Sequence, residues 1–273
     1  MMRTTVLLYH DIVAAGGYAA SGFQGADADI YKLDREEFRR HLDVIARHPG
    51  EKPEAISGAG WEGPGKRLLL TFDDGGASAL PTAALLDEYG WPGYFFMTTG
   101  YIGAPGFLDA SALRALARGG HVVGSHSCSH PLRMPACPAA QLDSEWRDSV
   151  RRLEDVLGEA VTTGSIPGGG YSRSVVRAAA AAGIRVLFTS EPVTRVRSVD
   201  GCLTIGRFAV QQGVPAAWVA AVVAGRVLPR ARRYLAWNGK KLLKAAGGPV
   251  WLAARKAILA RRAATGRTSG TGA

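Results

Sequence analysis

Two short tracts carry the residue types of hydrolytic chemistry. In Thr71-Phe72-Asp73-Asp74-Gly75-Gly76 an apolar strand, LLLTF, runs into two adjacent carboxylates and then two glycines. Asp and Gly also favour turns, so a plain strand-end turn competes with a catalytic reading. Side chains alternate along a strand, so neighbouring Asp residues at its end can point different ways. One can then hold a metal while the other stays free as a base. The second tract, His126-Ser127-Cys128-Ser129-His130, follows the apolar run HVVG. Two His at this spacing converge on one ion if the backbone coils, and imidazole nitrogen is a common ligand for zinc and similar metals. Cys128 is a soft-ligand type but reads as a small buried filler, because Asp-His-His already leaves an open catalytic position. A metal lowers the pKa of bound water towards ~7, and a second carboxylate can take its proton. The same ligand types occur in non-haem iron oxygenases. The spare Asp has a task in hydrolysis and none in oxygen chemistry, which favours hydrolysis.

These tracts need elements to position them. Short apolar runs alternate with helical segments, the pattern of βα units around a largely parallel sheet. Strands are predicted over Thr4–Tyr9, Arg67–Phe72, Gly93–Thr98, His121–Gly124, Val161–Ile166, Ile184–Thr189 and Leu203–Val210. Helices are predicted over Asp34–Arg47, Ala77–Tyr89, Asp109–Arg118, Pro138–Leu157, Ser172–Ala182 and Pro215–Ala224. Asp34, Asp109 and Ser172 suit N-caps. Two loops, Ala14–Asp29 and Pro167–Tyr171 (PGGGY), follow strands. They therefore fall at strand C-terminal ends, where α/β enzymes keep their active sites.

TFDDG followed by HSxxH resembles the polysaccharide deacetylase family (carbohydrate esterase family 4, the NodB-homology domain), over roughly residues 1–212. The resemblance implies an α/β fold, a distorted (β/α)7 barrel, and removal of N-acetyl groups from a polysaccharide, oligosaccharide or lipid-linked saccharide. It implies Asp73 as base and Asp74, His126 and His130 as ligands of one divalent metal, zinc by the family's habit. The family's Arg-x-Pro-x-Gly motif aligns with Ser165-Ile166-Pro167-Gly168-Gly169, so Ser165 stands in place of the Arg that orients the catalytic Asp. Arg207, in IGRF, is a substitute from elsewhere in the chain. Gly168 matches the residue whose N–H meets the oxyanion, and Gly permits close backbone approach. The family's late catalytic His is absent, since no His follows His130. The tract Leu7-Leu8-Tyr9-His10-Asp11 resembles the branch in which an early YH supplies the acid, which implies that role for His10. The lost Arg and late His also admit a catalytically impaired sugar-binding homologue, and another amidohydrolase or an oxygenase is a further alternative.

The 273 residues are 47% hydrophobic and 21% charged, enough for one large buried core. The net charge of +10 is lopsided: from Arg226 onward there are 12 Lys or Arg and no Asp or Glu. A catalytic domain over 1–225 is thus followed by a basic helical tail over 226–264 and a Gly/Thr/Ser-rich end over 265–273, expected to be disordered. On a helical projection Val227, Leu228, Tyr234, Leu235, Leu242 and Leu243 share one half, opposite Arg230, Arg233, Lys240, Lys241 and Lys244. The apolar half either packs on the barrel or lies in an anionic membrane surface. Nucleic acid is disfavoured as a partner, because no recognised binding module accompanies the charge. Three cysteines (Cys128, Cys137 and Cys202) argue against a disulfide framework. The first apolar run is too short for a signal-peptide core, and no uncharged apolar stretch reaches ~18 residues, so a cytoplasmic, membrane-associated protein is expected.

Overall fold

The computed structural model describes residues 3–56, 61 and 65–239. The part of the predicted basic tail over 240–264 and the 265–273 end lie outside the described residues. Strands are β1 (Arg3–Tyr9), β2 (Ile12–Val13), β3 (Leu33–Asp34), β4 (Lys66–Phe72), β5 (Tyr94–Met97), β6 (Val122–Ser125), β7 (Thr163–Ser165), β8 (Val186–Phe188), β9 (Arg197–Val199), β10 (Cys202–Ile205) and β11 (Phe208–Ala209). Helices are α1 (Ala26–Asp29), α2 (Arg35–Arg47), α3 (Ala79–Asp87), α4 (Ala110–Arg118), α5 (Ala139–Leu157), α6 (Arg173–Ala181) and α7 (Ala216–Val223), with a further helix over 227–239. Side chains of Asp34, Asp109 and Ser172 each accept an N-cap hydrogen bond, as their types predict.

The main sheet runs β11-β1-β4-β5-β6-β7-β8-β10-β9, parallel throughout except for β9 against β10. The predicted strand Leu203–Val210 is in fact two. β10 pairs with β8, and β11, two residues on, pairs with β1 at the opposite edge of the sheet. One chain segment therefore spans both edges and curls the sheet into a distorted barrel of seven staves. Gly206 makes the crossing feasible: a Cβ there would lie 2.3 Å from the Glu191 carbonyl oxygen, so no larger residue fits between the crossing backbones.

Two cores follow from strand alternation. Val6, Leu69, Tyr94, Phe96, Val186, Phe188 and Ile205 fill the barrel interior. The alternate residues, including Leu7, Leu68, Leu70 and Phe95, meet the helices outside. The same period of two carries His10 inward beyond Val6, and Asp73 inward beyond Leu69 and Thr71.

The helix over 227–239 runs through Pro229. Pro229 occupies the first turn, where a backbone N–H has no intrahelical acceptor to lose. Among the described residues no helix is long and apolar enough to cross a membrane.

Candidate metal and catalytic site

Strand register delivers the site residues to one rim. Tyr9 pairs with Phe72, so His10 and Asp73 leave adjacent strands side by side, and the Asp73 N–H donates to the Tyr9 carbonyl at 3.1 Å. Met97 pairs with Ser125, and the His126 N–H donates to the Met97 carbonyl at 2.8 Å. Ser125 pairs with Gly164, which puts Ser165 beside His126.

The chain then coils. Asp74 has φ +79°, and Ser127 and His130 have φ +65° and +59°. Non-glycine residues in this left-handed region mark strain that the surroundings must hold. The holding group at the second tract is Glu145 on α5. Its Oε2 accepts from the N–H groups of Cys128 (2.9 Å) and Ser129 (2.8 Å), and its Oε1 accepts from the Ser129 hydroxyl.

The result is a convergence of three donors. His126 Nε2 lies 3.5 Å and His130 Nε2 3.6 Å from Asp74 Oδ1, and all three atoms fall within 4.8 Å of one another. Tetrahedral ligands at 2.0–2.1 Å from a zinc-like ion stand about 3.3–3.4 Å apart, close to these separations. The electrostatics also call for a cation. His126 Nδ1 lies 2.9 Å from the Ser165 carbonyl and donates to it, which leaves the lone pair on Nε2. Burial lowers the His126 pKa to about 3 and lowers that of His130, so both rings are neutral and neither pairs ionically with Asp74. Asp74 Oδ1 is buried with no hydrogen-bond donor among the described residues. Burial, then the charges of Asp73 and Asp11, push the Asp74 carboxyl well above the usual carboxylate range. Three lone pairs facing one point form a donor set that a divalent ion would fit. Cys128 is not part of this group.

Asp73 is held differently. Arg207, fully buried, grips it with two parallel bonds, Nη1 to Oδ1 at 2.7 Å and Nη2 to Oδ2 at 2.8 Å. Arg207 Nε donates to the Thr189 carbonyl at 3.0 Å, and its guanidinium lies 5.9 Å and 6.0 Å from the ring centroids of Phe96 and Phe188, on the aromatic floor of the barrel. Ser165 accepts from Arg207 Nη2 (2.7 Å) and donates to Asp73 Oδ2 (3.0 Å). The small side chain at 165 leaves space for a guanidinium arriving from the β10–β11 crossing. Burial alone would raise the Asp73 pKa, but Arg207 (by charge and hydrogen bond), His126 and His10 together outweigh it and hold the carboxyl far below its usual range.

His10 stacks on Tyr31 with ring centroids 4.6 Å apart, and its Nδ1 is buried without a partner among the described residues. Burial lowers its pKa to about 4; the Asp73 charge opposes that shift, and Arg207 and His130 add to it. Gly168 has φ +62°, and a Cβ there would lie 3.0 Å from the Leu132 carbonyl oxygen, so the PGGG loop closes over the residues that follow His130. Asp11 and Glu145 were missed in the sequence. Asp11 accepts from the hydroxyls of Ser21 (2.5 Å) and Ser78 (2.8 Å), tying the loop after β1 to the turn after Asp74. A Cβ on Gly76 would lie 2.1 Å from Asp11 Oδ1, so this turn closes only on glycine. His41 and His121 have structural roles, bonded to the Val214 carbonyl and the Gly93 N–H respectively.

Residues 61–187 match the polysaccharide deacetylase family, and this stretch contains Asp73, Asp74, His126 and His130 together. Over this stretch, a little under half of the chain, the protein is similar to the polysaccharide deacetylase family. YxkH of Bacillus subtilis (strain 168), assigned as a polysaccharide deacetylase, is 29% identical over 150 residues, 55% of this chain and 53% of that protein. The match thus spans about half the length of this curated relative. Among solved structures, BA0330 from Bacillus anthracis aligns with a TM-score of 0.67 at 17% identity, covering 81% of this chain and 69% of that one. The Streptococcus pyogenes deacetylase PplD, solved with acetate, aligns with a TM-score of 0.64 at 18% identity, covering 79% and 95%. At these identities the structural likeness establishes a shared deacetylase-type fold.

Proposed function

We propose that this domain is a metal-dependent hydrolase that releases acetate from an N-acetylated saccharide. The observation that carries the reading is the convergence of Asp74, His126 and His130 beside a separate carboxylate, Asp73, clamped by Arg207. A divalent metal held by those three residues would polarise the amide carbonyl and lower the pKa of the attacking water. Asp73 Oδ2, 3.8 Å from His126 Nε2, borders that position and accepts the proton of the water. Arg207 keeps Asp73 ionised at rest and makes it a weak base that gives the proton up readily. His10 is neutral at rest, so the proton it delivers to the departing amine nitrogen is one taken up within the cycle, and Asp73 is its neighbouring source. The Gly168 N–H is assigned to the oxyanion formed on the acetyl carbonyl. The test is acetate release from a panel of N-acetylated oligosaccharides. Activity should vanish on chelation and return with a divalent metal. Asp73→Asn should lose about 10²–10⁴-fold in rate with metal content unchanged. Metal-loaded protein that releases acetate from none of them, or full metal content in Asp74→Asn, would overturn the reading.

A further inference from the structure

The helix over 227–239 is oriented against expectation for an amphipathic helix. Arg230, Arg233 and Trp237 face the barrel. Arg230 Nη2 donates to Thr5 Oγ1 at 2.8 Å and its Nε to the Val222 carbonyl at 3.0 Å, with the guanidinium 5.5 Å from the Phe208 ring centroid. Arg233 donates to the Ala209 carbonyl and lies 5.5 Å from the Trp218 ring centroid. Trp237 rests on the PGGG loop: a Cβ added at Gly169 would lie 2.7 Å from its ring. At about 100° per residue, Leu228 and Leu235 fall within about 15° of the side opposite this stripe. They are 60% and 69% exposed, and Val227 on the flank is 79% exposed. Packing of the apolar half on the barrel would have left the arginines facing water. Instead two of them are spent on the barrel, and the leucines point outward.

We infer that this outward apolar face docks on an anionic membrane surface and sets the mouth of the site against it. Charge selects the occupant. The chain from Arg226 onward carries 12 basic residues and no acidic one. A second copy packed through this face would oppose two such segments, whereas anionic lipid complements them. Leucines beside a basic segment match an interfacial helix, with the apolar side chains in the acyl boundary and the cations at the headgroups. The face is coupled to the mouth through Trp237, because the loop it braces holds Gly168. On the same rim, Leu132 is 83% exposed and Tyr171 43%. Resting on the deacetylase reading, this geometry selects a saccharide carried on a lipid over one free in solution.

The experiment is sedimentation of the full chain with vesicles, either of neutral phosphatidylcholine or containing anionic phosphatidylglycerol, at low salt and at about 0.5 M salt. Anionic vesicles should bind the protein and salt should weaken the binding. Leu228→Gln/Leu235→Gln, with an unchanged melting temperature, should bind roughly tenfold less or weaker still. Undiminished binding of that variant overturns the inference, since the contact then lies elsewhere in the basic segment. No binding to anionic vesicles at low salt also overturns it. A dimer in light scattering that the variant dissolves would then identify a second copy as the occupant, and a monomer would identify the rest of the chain. Binding is read without turnover, so vesicle binding without acetate release sinks the enzymatic reading alone, and acetate release without vesicle binding sinks this one alone.

Discussion

Arg207→Met removes a fully buried guanidinium and leaves a flexible apolar side chain of similar reach on the Phe96–Phe188 floor. The Asp73 carboxylate remains, 6% exposed, with only the Ser165 hydroxyl as a side-chain donor among the described residues. Removing one partner of a buried ion pair typically costs about 3–5 kcal/mol. For a domain of this size that corresponds to about 6–20 °C in melting temperature. The sign with pH follows from the depressed folded-state pKa of Asp73. Its contribution is fully present above the unfolded carboxylate value of about 4, and is lost as pH falls through the folded value. The gap between wild type and variant should therefore be flat from about pH 6 to 8 and close in acid. The decisive measurement is a double-mutant cycle with Asp73→Asn, by urea unfolding of the metal-free proteins. Asp73→Asn alone strands the Arg207 charge, whereas the double variant strands neither, so it should lose less than the sum of the singles by about 2 kcal/mol or more. Losses that add to within about 0.5 kcal/mol would refute the clamp, because two groups that do not sense each other behave that way.

Asp74→Asn should abolish stable metal binding, measured by metal analysis after dialysis. It should leave the metal-free protein as stable as wild type or more so, since it removes a carboxyl whose ionised form burial disfavours; a clearly less stable metal-free variant counts against the site. Glu145→Leu should cost roughly 10–100-fold in metal affinity by unpinning the turn between the two His, whereas Glu145→Gln keeps an acceptor oxygen and should lose less. Equal affinities would remove Glu145 from any part in shaping the site. His10→Gln should lower kcat and leave metal content and stability near wild type, and unchanged turnover would end its assignment as acid. Gly76→Ala places a methyl against Asp11 and the Gly22 nitrogen, and should destabilise by about 1–3 kcal/mol or more in urea unfolding.

The strands that carry Asp73 and His126 were legible because their signals are local: an apolar run with period two, ending in residues whose chemistry differs from the run. N-caps at Asp34, Asp109 and Ser172 were legible for the same reason. Arg207 was reached only through the vacancy at Ser165. Its real setting, the Gly206 crossing, was not visible, because ILE-GLY-ARG-PHE at 205–208 reads as one continuous strand until both sheet edges are known. Glu145 left a faint signal, an acid on the α5 stripe formed by Leu142, Trp146, Val150 and Leu153. Asp11 left none, since an Asp after a strand looks like any turn. The tail shows where projection stops. A helical wheel separates arginines from leucines but does not say which side meets the protein, and arginines can bond backbone carbonyls and stack on aromatic rings as readily as they can face water.

The crossing at Gly206 also sets an order of assembly. Asp73 and Arg207 are 134 positions apart, and the segment bearing Arg207 is the one that joins the two edges of the barrel. During vectorial synthesis at about 5–20 residues per second, the carboxylate would emerge about 7–27 s before its cation. Until then the nascent barrel is an open sheet with two unpaired edges and an acid at its centre still able to reach water. Barrel closure and charge neutralisation arrive together, with the same few residues, so a ribosome stalled short of residue 207 would hold a chain that has neither a finished barrel nor a finished site.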